Sequence, residues 1–294
     1  MKILNFGSVN IDSCYQVREF VRAGETISAL EVTRHAGGKG FNQSVALARA
    51  GAKVCHAGCI GEDGRFLRDM LNDAGVDTKS LRVTDTPTGN AIIQVNARGD
   101  NCIILYTGAN GCVTEDYADE VLSRFGSDDV LLIQNEISSL PYIIEKAREK
   151  GMRIAFNPSP MNSGISREML GAADWLFVNQ VEAAQISGAE GREKCLRALS
   201  EMFPRTAVIM TLGGDGVVYR DEKQSLSHGI YPVSALDTTG AGDTFTGFFL
   251  AAILSGGSVK YALDTASRAA AISVTRPGAA ESIPTLNELW EYPF

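Results

Sequence analysis

A chain of 294 residues with 45% hydrophobic and 21% charged residues has ordinary globular composition, which excludes a disordered or fibrous protein. Its formal charge of -8, from 27 basic and 35 acidic residues, comes with no basic run long enough to follow a phosphate backbone, and this argues against a nucleic-acid partner. The opening MKILNFGSVNID lacks the long apolar core and cleavage site of a signal peptide, and no apolar stretch reaches membrane-spanning length, so the expected location is the cytoplasm. The cysteines at 14, 55, 59, 102, 112 and 195 form no CxxC pair and are expected to be reduced packing residues.

In chain order, KILNFGSVNI reads as a first core strand whose end carries Asn10 and Asp12. Residues 13–36 contain the strand-like ISALEVTRHA and interrupt the regular pattern. GFNQSVALARAG follows as an amphipathic helix, then the strand KVCHAGCIG and the helix GRFLRDMLNDAG. Residues 88–107 hold two strand-like runs joined by a Gly-Asp-Asn turn. With 13–36 they are expected to form a small β-sheet lid over the carboxyl edge of the main sheet. The strand DVLLIQNEI ends near Glu136, the helix LPYIIEKAREKG comes next, and RIAFNPSP and DWLFVNQ are further strands, the second leading to Asn179 and Glu182. After the helix REKCLRALSEMF, the strand AVIMTLGG opens the loop TLGGDG. Strands alternating with helices predict one α/β domain over 1–294, with a mainly parallel sheet.

Two glycine-rich stretches carry the chemistry. AGGKGFNQ fails the P-loop spacing, since Lys39 is followed by Gly, and no GxGxxG follows the first strand. Consecutive glycines before a helix let a ligand approach the backbone, and Lys39 and Asn42 add donors for hydroxyl oxygens, so this loop suits a small polyol. DTTGAGDTF runs into apolar residues at i, i+3, i+4, i+7 and i+8 from Phe245, placing GAGD on the first turn of a buried helix. Free amides and the positive dipole end there form an anion hole at Gly240, Ala241 and Gly242. Asp243 is a poor phosphate ligand beside such a hole, and its useful role is to take a proton from an attacking hydroxyl.

GSVNID, AGGKGFNQ, NQVE, TLGGDG and DTTGAGDTF stand in the order and spacing of the ribokinase-like carbohydrate kinases, the phosphofructokinase-B family, and the chain resembles that family over its whole length. The resemblance implies a three-layer αβα fold, a β lid that often forms a homodimer interface, and an ATP-dependent sugar kinase. D-ribose is the acceptor it implies, phosphorylated on its 5-hydroxyl, with fructose, a deoxysugar or a nucleoside as alternatives. It further implies that Asn10, Asp12, Gly38, Lys39, Asn42, Glu136 and Asp243 hold the sugar. Nucleotide falls to Asn179, to Thr211, Leu212, Gly213, Gly214, Asp215 and Gly216, and to Gly242. By the same resemblance Glu182 organises Mg2+ through water. Potassium is surrounded by Asp237, Thr239, Ser273, Arg276, Gly278 and Ser282, Arg276 giving its carbonyl.

Overall fold

In β1 (Ile3–Phe6) of the computed structural model, which describes residues 1–294, Ile3 packs into one apolar cluster while Leu4 and Phe6 enter another. This two-residue alternation sends side chains to opposite faces of a sheet covered on both sides, as a parallel sheet requires. Leu132 and its neighbours Leu131 and Ile133 divide in the same way. Three layers follow, with helices on both faces.

Along the chain come β2 (Asn10–Gln16), β3 (Glu31–Gly37), β4 (Val54–Gly61), β5 (Asp77–Thr84), β6 (Gly89–Val95) and β7 (Asn101–Tyr106). They are followed by β8 (Val130–Gln134), β9 (Arg153–Asn157), β10 (Trp175–Asn179), β11 (Ala207–Thr211), β12 (Val217–Arg220) and β13 (Ser225–His228). The main sheet has nine strands in the order β13-β12-β11-β10-β9-β8-β1-β4-β5, and only β12 runs against the others. From β1 the chain builds outward through β4 in one direction and through β8 in the other. The β1/β8 boundary is therefore the topological switch point, where a crevice opens beyond the carboxyl ends of the strands.

A second sheet, β3-β2-β6-β7, is built from the two segments expected to form the lid; β2 and β6 run parallel, and the other pairs are antiparallel. Here the sequence reading needs correction. The first run is not one strand through Ile11, because β1 stops at Phe6 and Asn10 and Asp12 lie on lid strand β2. Gly7 allows the break: a Cβ there would collide with the Gln134 side chain and approach the Gly40 Cα to 2.7 Å. The lid starts at Asn10, and residues 17–30 between its first two strands contain no helix or strand.

The helices Lys39–Arg49 and Ala241–Leu254 lie against each other on one face of the sheet. Gly247 meets Ala46 where they touch, so closely that a Cβ would overlap Ala46 and come within 2.9 Å of the Leu47 amide nitrogen. One turn before Gly247 stands Asp243, and one turn before Ala46 stand Asn42 and Gln43. The tight approach brings these three side chains together.

Candidate active site

Asp243 occupies the first turn of the Ala241–Leu254 helix and is 7% exposed. Its Oδ2 accepts from Asn42 Nδ2 at 3.0 Å and its Oδ1 from Gln43 Nε2 at 2.8 Å. Gly240, with φ of 73°, caps the helix in the left-handed conformation, where a Cβ would be strained and would also press on Ala279. The amides of Gly240 and Gly242 donate to no protein acceptor, and neither does that of Asp243. Ala241 differs from the expected set, because its amide is turned to the Thr238 carbonyl at 3.3 Å. The free donors at this helix start are thus Gly240, Gly242 and Asp243.

Across the crevice, Gly38 (φ 91°) begins the Lys39–Arg49 helix, and Gly37 leaves room for the Asp12 carboxylate, which a Cβ would overlap. Burial, then the neighbouring Glu136, pushes the Asp12 carboxyl up to about 6. Its Oδ1 is buried without a hydrogen-bond donor, and so is Asn42 Oδ1. Asn10 is held by Asn110, whose Nδ2 donates to Asn10 Oδ1 at 2.7 Å while its Oδ1 accepts from the Val9 amide at 3.0 Å. Glu136 Oε2 accepts from the Lys39 amide at 2.9 Å and from the Ser8 hydroxyl. Burial raises the Glu136 carboxyl, against the pull of the Lys39 ammonium. The Asp243 carboxylate, followed by Glu136, holds the Lys39 ammonium above its ordinary value despite burial. Asp243 and Glu136 thus share one firm cation.

On the other side of the helix start lies a cavity of about 540 Å³. Thr211, Gly213, Gly214, Gly216 and Gly242 line it. Leu212 does not, being packed in the core, and Asp215 faces a separate shallow polar depression with Gln180 and Arg192. The rest of the wall is mostly apolar, with Ile230, Pro232, Val233, Ala271 and Val274 among its residues. The sequence did not single out these residues, because the apolar lining of a pocket carries no motif.

Asn179 and Glu182 form a capping box at the start of the Gln180–Ser187 helix. Glu182 N donates to Asn179 Oδ1 and Asn179 N to Glu182 Oε2, both at 2.9 Å, and the Ser159 hydroxyl bonds Glu182 Oε1. The N-x-x-E spacing alone announces such a box. Asp237 ties its loop to the late segment: Oδ1 accepts from Thr239 N at 2.9 Å and Thr239 Oγ1 at 2.7 Å, and Oδ2 from Gly278 N at 2.9 Å. Ser273 and Ser282 donate their hydroxyls to Ala270 and Ala279 carbonyls. The Arg276 guanidinium is turned to Glu288 at 2.9 Å.

The sequence profile of the pfkB family carbohydrate kinases matches residues 1–286. The chain belongs to that family. It is 36% identical to the ribokinase of Haemophilus influenzae, over 97% of this chain and 96% of that one. The ribokinase of Thermotoga maritima superposes with a TM-score of 0.89 at 33% identity, covering 99% and 98% of the two chains. A structure of Arabidopsis thaliana ribokinase complexed with ribose and ATP gives 0.89 at 29% identity, covering 99% and 97%. The fold and the reaction class are those of an ATP-dependent carbohydrate kinase, and no helix is long and apolar enough to cross a membrane.

Proposed function

We propose that this kinase transfers the γ-phosphate of ATP to the 5-hydroxyl of D-ribose. The observation that carries the reading is the pair of buried, donorless acceptors, Asp12 Oδ1 and Asn42 Oδ1, the second on the amide that donates to the Asp243 carboxylate. An unpaired buried acceptor costs about 1 to 3 kcal/mol, and sugar hydroxyls are the donors that relieve it. The ribose and ATP bound by the Arabidopsis relative support the same choice.

Asn10, Asp12, Gly38, Lys39, Asn42 and Glu136 hold and orient the sugar. Asp243 takes the proton of the attacking hydroxyl, and a weak base suffices where the transition state is loose and that proton leaves late. Free amides at Gly240, Gly242 and Asp243 stabilise charge on the transferring group. Nucleotide lies in the cavity beside Gly213, Gly214 and Gly216; Asn179 does not line it but pairs with Thr211, which does. Magnesium would neutralise charge between the phosphates, organised by Glu182 through water. Glu182 already makes two hydrogen bonds, and its carboxylate lone pairs are sufficient for that indirect role. Potassium would be held by Asp237, Thr239, Ser273, Arg276, Gly278 and Ser282, an all-oxygen donor set suited to a hard cation. The engagement of the Arg276 side chain elsewhere leaves its carbonyl for that role, whereas the bonds from Asp237 to the Thr239 and Gly278 amides are those of the rival reading, a loop pinned without a cation.

The lid sheet is the proposed homodimer surface. Its Val32, Ile92, Ile103, Ile104, Leu105 and Tyr106 are all at least 41% exposed in the single chain, a patch that favours a partner. Six free cysteines and the demand for ATP fit the cytoplasm. An acceptor panel with ATP, read by ADP release, tests the substrate. Ribose should exceed 2-deoxyribose, fructose and adenosine in kcat/KM, and better use of any of these would overturn the choice of ribose.

A further inference from the structure

A line of buried polar side chains runs from Asp243 back through the main sheet. Asn5, Gln43, Ser44, His56 and Gln134 are each 0% exposed, in a layer otherwise filled with apolar groups. Gln134 Nε2 donates to Gln43 Oε1 at 2.7 Å and to Asn5 Oδ1 at 3.0 Å. Asn5 Nδ2 donates to the Gly40 carbonyl at 2.7 Å and to Ser44 Oγ at 2.8 Å, and Ser44 Oγ lies 2.8 Å from His56 Nδ1.

The directions of the amide bonds in this line are fixed by acceptor-only groups at its two ends, the Gly40 carbonyl and the Asp243 carboxylate. The Gly40 carbonyl only accepts, so the Asn5 nitrogen must face it and the Asn5 oxygen must face Gln134. Gln134 then presents its nitrogen to both Asn5 and Gln43. Gln43 in turn has its oxygen occupied and its nitrogen aimed at Asp243. Ser44 accepts from Asn5, and its hydroxyl meets His56 Nδ1 at the far end of the line. Burial depresses this imidazole to about 4. Without the relay the Gln43 amide loses the bond that anchors its oxygen, and its nitrogen is held less firmly on the carboxylate.

We propose that Gln43, oriented by Gln134 and Asn5, is a positioning residue that fixes the proton-accepting carboxylate of Asp243 from the side away from the sugar. This rests on the reading of Asp243 as the base. Asn42, on the other carboxylate oxygen, keeps its own Oδ1 free for ligand, whereas Gln43 spends both ends of its amide on protein partners. Gln43 therefore governs the reaction step more than it governs sugar binding. Loss of a donor to a carboxylate disfavours its charged form, so the acidic limb of the kcat profile, taken at saturating ribose where Asp12 is already engaged, moves up. Lys39 and Glu136 are the charged groups that couple to Asp243, and they are common to every variant compared.

Gln43→Met keeps the side-chain length and removes the amide. It should lower kcat by roughly 10- to 100-fold, the rate equivalent of one hydrogen bond to a charged group, with ribose KM changed less than about threefold. The acidic limb should move to higher pH. Gln134→Met, which leaves Gln43 in place but frees its amide to rotate, should give a smaller change in the same direction, and it decides the matter if Gln43→Met does not fold. A role confined to stability would lower the melting temperature and leave the pH profile of the folded fraction where it was. Wild-type kcat in the folded variants, or a fall in kcat with an unmoved acidic limb, overturns the proposal. Asp243→Asn assayed alongside separates the two readings. If it too is unimpaired the base assignment fails, and if it alone is impaired only the role of Gln43 fails.

Discussion

Acidification below about pH 6 should weaken ribose binding, and Asp12 should be the cause. In the free pocket its carboxyl is raised from 3.8 to about 6, chiefly by burial and next by Glu136. At 1.36 kcal/mol per pH unit, the charged form carries a penalty of about 3 kcal/mol. Its donorless Oδ1 shows where a sugar hydroxyl reduces that penalty. Binding through an ionised acceptor competes with the proton below pH 6, so the ribose Kd should be flat above pH 7 and rise toward roughly tenfold per pH unit on the acid side. The sign for folding is opposite. A carboxyl raised in the folded state binds protons more readily there than in the unfolded chain, so unliganded stability increases as pH falls from about 6 toward 3.8. At pH 7.5 the cost is fully present, and Asp12→Asn should stabilise the sugar-free enzyme by up to about 3 kcal/mol while weakening ribose binding. Glu136, raised by the same burial, is retained in the variant, so the comparison isolates Asp12. Calorimetric titration from pH 5 to 8 provides the affinities, and thermal melts without sugar provide the stabilities. A wild-type Kd constant over that range, or a variant that keeps the wild-type slope, would refute the argument.

Potassium should raise turnover several-fold over a bulky tetraalkylammonium ion, and Asp237→Ala should abolish the response. Equal rates of the wild type in the two buffers would leave Asp237 only its observed task of pinning Thr239 and Gly278. Ile104→Asp together with Leu105→Lys should convert a two-chain species to a single chain in sedimentation, since both side chains are more than half exposed on the lid. An unchanged sedimentation coefficient would place any interface elsewhere.

The strands that the sequence revealed are those buried on both faces, where apolar runs such as VLLI leave no other reading. β5, with alternating exposed and buried positions in DTKSLRVT, and the four-residue β13, SLSH, are edge or near-edge elements with too few apolar residues to announce themselves. The break between β1 and β2 was hidden because the two-residue alternation continues across Gly7, although the chain there passes from one sheet to another. Asp243 and the glycines around it were legible because a helix start with free amides needs few residues, all local. Asn110 and Gln134 were not, since their partners lie 100 and 91 residues away in Asn10 and Gln43. Their trace in the sequence is a polar residue in an apolar setting, as in LLIQ, a signal that identifies an internal partner without saying which one.

The central claim, that the carboxylate at the start of the Ala241–Leu254 helix takes the proton of a sugar hydroxyl during transfer from ATP, is tested most directly by Asp243→Asn. The substitution keeps shape and removes basicity. Single-turnover rates and ribose affinities are to be measured on the same preparation. The account predicts a fall in the rate of roughly 10²- to 10⁴-fold with ribose Kd changed only slightly. A near-normal rate, or a loss confined to ribose affinity, would contradict it.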